Sequence, residues 1–178
     1  WFVLSFFGAI PFLMDESLKF SLVDAVFESA SGWTTTGATV VSNIDNLNKP
    51  LLLYRQLLQW LGGIGIVVLV LAILPILGVG GMYLYKAETS SPVKDNKLSP
   101  RITETAKSLW GVYIVLTIAC AVLYKIAGMS YFDAIGHSFS TVSIGGFSTH
   151  DASIGFYSSD LIKIICMVFM FLSALNFV

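Results

Sequence analysis

The chain has 178 residues, 56% of them hydrophobic and only 12% charged, with a formal net charge of −1 and a mean hydropathy of +0.80. So few polar side chains cannot coat a water-soluble domain of this length, and no nucleic-acid partner is expected of so weakly charged a surface. The partner the composition asks for is membrane lipid.

Residues 1–14 carry no charge and read as an apolar helix cut short, since a span needs about 20 apolar residues. Residues 22–33 read as a short helix with Asp24 in its first turn, followed by "WTTTGATV" and the polar linker "SNIDNLNKP". The uncharged run 56–85 is long enough for a full span. Within it Gly62, Gly63 and Gly65 allow close helix packing, and Pro75 with the "GVGG" of 78–81 predicts a kink and an end. The segment 86–107 gathers Lys86, Lys94, Lys97, Arg101 and Lys107 against Glu88, Asp95 and Glu104, which marks it as a cytoplasmic loop by the positive-inside rule. A second span covers the uncharged run 108–124, a second short helix is expected over 131–142, and the uncharged run 164–178 reads as another shortened span. No basic leader or cleavage site marks a signal peptide, and a longer parent protein is expected.

The order is a repeat. "DAVFESASGWTTTGAT" and "DAIGHSFSTVSIGGFS" align without a gap, placing Asp24 on Asp133, Glu28 on His137, Ser29 on Ser138, Ser31 on Ser140 and Gly37 on Gly146. The expected fold is therefore all-α: a polytopic membrane protein of repeated helix, re-entrant pore helix and helix units. Its domains are 1–85 (first repeat), 86–107 (cytoplasmic loop) and 108–178 (second repeat).

A short helix that ends inside a bilayer leaves carbonyls unpaired, and irregular backbone survives there only beside protein or water. Carbonyls and the negative end of a helix dipole suit a cation, and a ring of carbonyls can replace the hydration shell of potassium. Asp24 and Asp133 belong at the positive ends of their helices, while Gly37, Gly145 and Gly146 permit the backbone turns. A plain interhelical loop is the competing reading of either stretch alone; the repetition favours an ion path.

"SGWTTTGATV", "YRQLLQWLGGIGIVVLVLAILPILGVGGMYLYKAE", "KDNKLSPRITETAKSLW" and "FDAIGHSFSTVSIGGFSTHDASIG" together resemble the TrkH/TrkG/KtrB family of potassium transporters over essentially the whole chain. The resemblance implies a potassium-channel-like pore surrounded by four repeats, of which this chain carries the first two. It implies filter strands at Thr35, Thr36, Gly37, Ala38 and Thr39 and at Ile144, Gly145, Gly146, Phe147 and Ser148, whose backbone would bind K+ as the transported ion. It further implies a bacterial inner-membrane location, a homodimer when full length and a cytosolic nucleotide-binding regulator, TrkA. The gating loop of the third repeat and the basic residue of the fourth lie outside this chain.

Glu28 and His137 are expected as structural polar positions behind the filter, and Asp151, beside His150, at an outer mouth where it would concentrate cations. Arg55 and Lys163 read as interface anchors. "GVGGMY" lacks a P-loop lysine and Asp133 with His137 lacks a third ligand, so neither a nucleotide nor a metal enzyme is expected, and no covalently bound cofactor. Cys120 and Cys166 read as small buried hydrophobes. Two alternatives stay open: a non-conducting helical assembly module, and a less selective potassium/sodium transporter.

Overall fold

The computed structural model describes residues 1–15, 17–77 and 98–175, and side chains outside 66–107. In chain order the helices are α1 (Phe2–Gly8), α2 (Ile10–Met14), α3 (Leu22–Trp33), α4 (Lys49–Leu77), α5 (Leu98–Ile126), α6 (Tyr131–Val142) and α7 (Asp160–Leu175), with 3-10 turns at Ile44–Asn46 and Ser153–Phe156. No strand occurs among the described residues. The short helices α3 and α6 occupy the expected 22–33 and 131–142.

Three boundaries differ from the sequence reading. The apolar run 1–14 is two helices, because Pro11 in the first turn of α2 has no N–H to continue the ladder. The helix expected from 108 is already formed at Leu98, so the 86–107 loop shares residues 98–107 with α5. The backbone stays helical through Pro75 to Leu77, and the "GVGG" of 78–81 and the rest of the 86–107 loop lie outside the described residues.

Each short helix is started in the same way. Ser21 caps α3 in a capping box with Asp24: the Asp24 N–H donates to Ser21 Oγ at 3.2 Å, and the Ser21 N–H donates to Asp24 Oδ2 at 3.0 Å. Ser130 caps α6 by accepting from the Asp133 N–H at 3.1 Å and donates its hydroxyl to Asp133 Oδ2 at 2.7 Å.

Helix α4 joins the two repeats. It packs against both α3 and α6, and also against α5. Small residues make this approach possible: a Cβ on Gly62 would fall on the Trp33 carbonyl that ends α3. One on Gly63 would lie 2.9 Å from the Ser143 Cβ that ends α6. The glycines therefore serve close packing, as expected. Around α4 sit separate cores, one of Ala9, Phe12, Ala25, Leu51 and Leu58 in the first repeat. Another, in the second repeat, includes Tyr113, Cys120, Tyr124, Val142, Ile162, Cys166 and Phe169, reached by Ile64 of α4, and a smaller one joins Val41, Ile44 and Leu52. Cys120 and Cys166 are free and buried there.

The distribution of side chains inverts that of a water-soluble protein. Glu28, Arg55, Gln56, Gln59, His137 and Ser138 are buried, whereas Phe2, Phe7, Val115, Ile118, Met167 and Phe171 are each more than half exposed. Such an apolar exterior needs lipid or more protein around it. Among the described residues the Ser108–Ile126 stretch of α5, with a window hydropathy of 2.0, is by itself long and apolar enough to cross a bilayer.

The packing of α4 predicts opposite outcomes for two helical glycines. Gly62→Ala pushes α4 off the end of α3 and should cost about 1–3 kcal/mol. Gly111→Ala on α5 meets nothing within 4 Å and should be neutral or stabilising by up to about 1 kcal/mol. Thermal melting of the detergent-solubilised protein checks both; an unaffected Gly62→Ala protein would refute the close contact.

Candidate functional site

The two loops that follow α3 and α6 share one backbone geometry. At the end of α3 the Thr36 N–H donates to the Ser31 carbonyl at 3.0 Å and the Thr35 N–H to the Gly32 carbonyl at 3.0 Å. At the end of α6 the Gly145 N–H donates to the Ser140 carbonyl at 2.8 Å and the Ile144 N–H to the Thr141 carbonyl at 3.1 Å. These paired bonds are a Schellman motif, which needs a left-handed residue at its turn, usually glycine. Here that residue is Thr35 (φ +53°) in one loop and Ile144 (φ +56°) in the other. A β-branched residue in this region is a genuine outlier with a strain of about 1–3 kcal/mol. Two residues later Gly37 (φ +74°) and Gly146 (φ +86°) turn the chain again. The same strained turn appears at equivalent positions of both repeats.

This geometry leaves free acceptors in excess of free donors. The N–H groups of Thr35, Thr36, Ile144 and Gly145 are spent on their own helices, that of Val40 on Glu28 and that of Phe147 on Gln59. Among the described residues, no donor reaches the carbonyls of Thr35, Thr36, Gly37, Ala38, Thr39, Ile144, Gly146 or Phe147. Among the described residues the amides of Gly37, Ala38, Thr39, Gly146 and Ser148 are also unpaired, so the loops carry eight free carbonyls against five free amides, at the carbonyl ends of two helices. A cation is the complementary guest.

Different chemistry braces the two strands. Glu28, fully buried on α3, accepts from the Val40 N–H at 3.1 Å and from the Thr39 hydroxyl at 2.9 Å. Its counter-charge is Arg55, with Nη2 at 2.8 Å and Nε at 2.9 Å from Glu28 Oε1. Arg55 is thus not an interface anchor: it is 1% exposed, and the reading of a span-flanking arginine missed that the first turns of α4 lie against the loops. Lys163 is half exposed and pairs with Asp160 at 2.9 Å.

In the second repeat His137 replaces Glu28, and its Nε2 lies 3.2 Å from the Thr149 hydroxyl, which donates to Asp133 Oδ1 at 2.8 Å. A residue of the first repeat adds to this brace. Gln59 donates from Nε2 to the Gly145 carbonyl at 2.7 Å and accepts from the Phe147 N–H at 3.0 Å. Sequence reasoning passed over Gln59, although an uncharged polar side chain within an apolar run is itself a signal.

The outer linkers are tied to each other. His150 Nδ1 lies 2.6 Å from Asp45 Oδ1, its ring stacks on Phe156 at 3.7 Å, and Asp151 Oδ1 accepts from the Ile44 N–H at 3.0 Å. Asp151 therefore caps the 3-10 turn of the other repeat's linker, a structural role the sequence reading did not include. The pair Asp133 and His137 belongs to the brace, and no group of three His, Cys, Asp or Glu side chains converges among the described residues.

Gly37 and Gly146, alike in sequence, differ in surroundings. A Cβ on Gly37 would fall on the Gly145 carbonyl oxygen, whereas one on Gly146 meets nothing within 4 Å. Gly37→Ala should therefore combine backbone strain with a clash, for a loss of about 2–4 kcal/mol. Gly146→Ala should lose only the strain, about 1–2 kcal/mol. Equal losses in thermal melting would show that the loops do not touch at Gly37.

The hydrogen bond from His150 holds the Asp45 carboxyl below its ordinary value of 3.8. The folded state thus binds this proton less readily than the unfolded chain, so the linker tie stabilises above about pH 4 and is lost as pH falls through the depressed value. The melting difference between the wild type and Asp45→Asn should shrink on acidification from about pH 6 to about pH 3. A difference that persists at the lower pH would locate the tie elsewhere.

The family model described as "TrkH: Cation transport protein" matches residues 1–178. The chain is 60% identical over 177 residues to the Trk system potassium uptake protein TrkH of Halomonas elongata, covering 99% of this chain and 37% of that protein. It is 48% identical over 177 residues to TrkG of Escherichia coli, covering 99% of this chain and 36% of that one. The crystal structure of the potassium transporter TrkH from Vibrio parahaemolyticus superposes with a TM-score of 0.82 at 53% identity, over 97% of this chain and 33% of that one. The chain spans about a third of the length of these relatives.

Proposed function

The chain belongs to the TrkH family of cation transport proteins, and from that premise we propose that its two loops form two of the four walls of a potassium filter. The filter strands are Thr35, Thr36, Gly37, Ala38 and Thr39, and Ile144, Gly145, Gly146, Phe147 and Ser148. The observation that carries this reading is the run of unpaired carbonyls at the carbonyl end of a short helix, repeated in both loops and accompanied by strained left-handed turns at Thr35 and Ile144. Backbone strain of this kind persists where the surroundings over-determine it, as at ion and ligand sites.

The function is potassium uptake across the bacterial cytoplasmic membrane, in a protein that supplies two further repeats. Helices α4, α5 and α7 cross the bilayer, while α3 and α6 re-enter it from the outer side with Asp24 and Asp133 at their positive ends. K+ is the cargo, dehydrated in stages by backbone oxygens. Glu28 and His137 act behind the strands. The 86–107 loop lies in the cytoplasm, where the intact homodimer docks the nucleotide-binding regulator TrkA, a partner that the family resemblance implies. A membrane enzyme finds no support in a family of cation transport proteins.

The test is ion flux through the full-length protein in liposomes. Potassium and rubidium influx should exceed sodium influx, and Gly37→Ala and Gly146→Ala should lower the potassium-to-sodium ratio before they abolish flux. Thr36→Ser keeps the carbonyl and should be mild. An unchanged ratio in both glycine variants that still conduct would remove these loops from the filter. Asp24→Asn should reduce stability by only about 0.3–2 kcal/mol, as loss of a capping carboxylate at a helix start.

A further inference from the structure

Arg55 touches both loops at once, and nothing in the potassium-filter reading assigns it a task. It sits at the start of α4, in the first repeat. Its Nε and Nη2 hold Glu28, its Nη2 lies 3.0 Å from the Thr39 hydroxyl of the first strand, and its Nη1 donates to the Ser148 carbonyl of the second strand at 3.4 Å. The guanidinium carbon lies 4.4 Å from the centroid of the Phe147 ring, also in the second strand. One turn further along α4, Gln59 grips the Gly145 carbonyl and the Phe147 N–H of the same second strand. Two side chains four residues apart on one helix thus hold the outer end of one strand and both the middle and outer end of the other.

The second repeat has no matching arginine: α7 contains none, and counted from the helix starts the residue that corresponds to Arg55 is Cys166. The tie is therefore a single asymmetric element between unlike strands, not a feature of each repeat. Thr39 and Ser148 are themselves aligned, so Arg55 joins equivalent points of the two strands. A planar guanidinium can do this because its donors point in fixed, divergent directions; lysine, with one charged nitrogen, cannot reach carboxylate, hydroxyl and carbonyl together.

We propose that Arg55 is a selectivity-setting positioning residue: by bonding Glu28, Thr39 and the Ser148 carbonyl at once, it fixes the spacing of the two strands at the outer end of the filter. The inference rests on the filter reading above. Because a carbonyl cage distinguishes potassium from sodium by its size and by the number and strength of its oxygens, a change in strand spacing alters the ratio of the two ions more than the total current. Glu28 supplies the charge that lets the guanidinium remain buried, and truncating one partner alone leaves an uncompensated charge.

The experiment measures potassium and sodium permeability of the full-length protein in liposomes, for the wild type, Arg55→Gln, Arg55→Lys and the double variant Glu28→Gln with Arg55→Gln. Arg55→Gln should lower the potassium-to-sodium permeability ratio about tenfold, the equivalent of one lost hydrogen bond to a charged group, with potassium still conducted. Arg55→Lys should recover only part of that ratio, because it restores the charge without the fork. If Arg55→Gln fails to insert, the double variant removes both buried charges and is read instead, with the same loss expected. A native ratio in whichever of these variants conducts overturns the proposal, and so does full rescue by lysine. Failure of the double variant to insert also overturns it, assigning the pair to assembly alone. A wild-type protein that shows no potassium preference refutes the filter reading itself, so the two failures are distinguishable.

Discussion

The amides that end each short helix turn back onto the helix, and most of the carbonyls that follow are left without donors. Everything else around the loops maintains this one separation. It requires a left-handed residue at Thr35 and Ile144, where a β-branched side chain is costly, and a second turn at Gly37 and Gly146. A loop relaxed to ordinary angles would return amides to the strand and cancel the negative potential. The braces from Glu28, Gln59 and His137 oppose that relaxation by bonding the Val40 and Phe147 N–H groups and the Thr39 and Thr149 hydroxyls from behind.

Helix α4 makes the two loops one structure. Its glycines at 62 and 63 let it lie against the last residue of α3 and the cap of α6, and its first turns then face the strands. Arg55 and Gln59 reach the strands only because of that approach. The repeats are consequently not independent units laid side by side: a helix of the first holds the strand of the second. On the outer side His150 and Asp151 reach back to the linker of the first repeat, so the loops are tied above as well as behind.

The two repeats have diverged where a symmetric pore would not require them to match. Glu28 with Arg55 is a charged brace, whereas His137, Thr149 and Asp133 form a hydrogen-bonded one, and Gly37 contacts backbone where Gly146 faces open space. A filter whose walls are held by different chemistry can be altered at one wall without dismantling the others.

The helical class, the repeat and the extents of the short helices were legible in the sequence alone, because each rests on local signals: uncharged runs, the acidic helix starts at Asp24 and Asp133, and the glycines that permit left-handed turns. The sequence also determined that Glu28 and His137 are equivalent positions. What a lone sequence could not decide was which side chains meet across the repeats. Arg55 looked like a surface anchor because it flanks a span, and burial of its charge became visible only once Glu28, 27 residues away, was brought beside it. Asp151 looked like a charge at a mouth, and its partner is the Ile44 amide of the other repeat's linker, 107 residues distant. Gly37 and Gly146 looked interchangeable, and the Gly145 carbonyl separates them. Such contacts depend on the packing of α4 between α3 and α6, a close approach that no local pattern encodes.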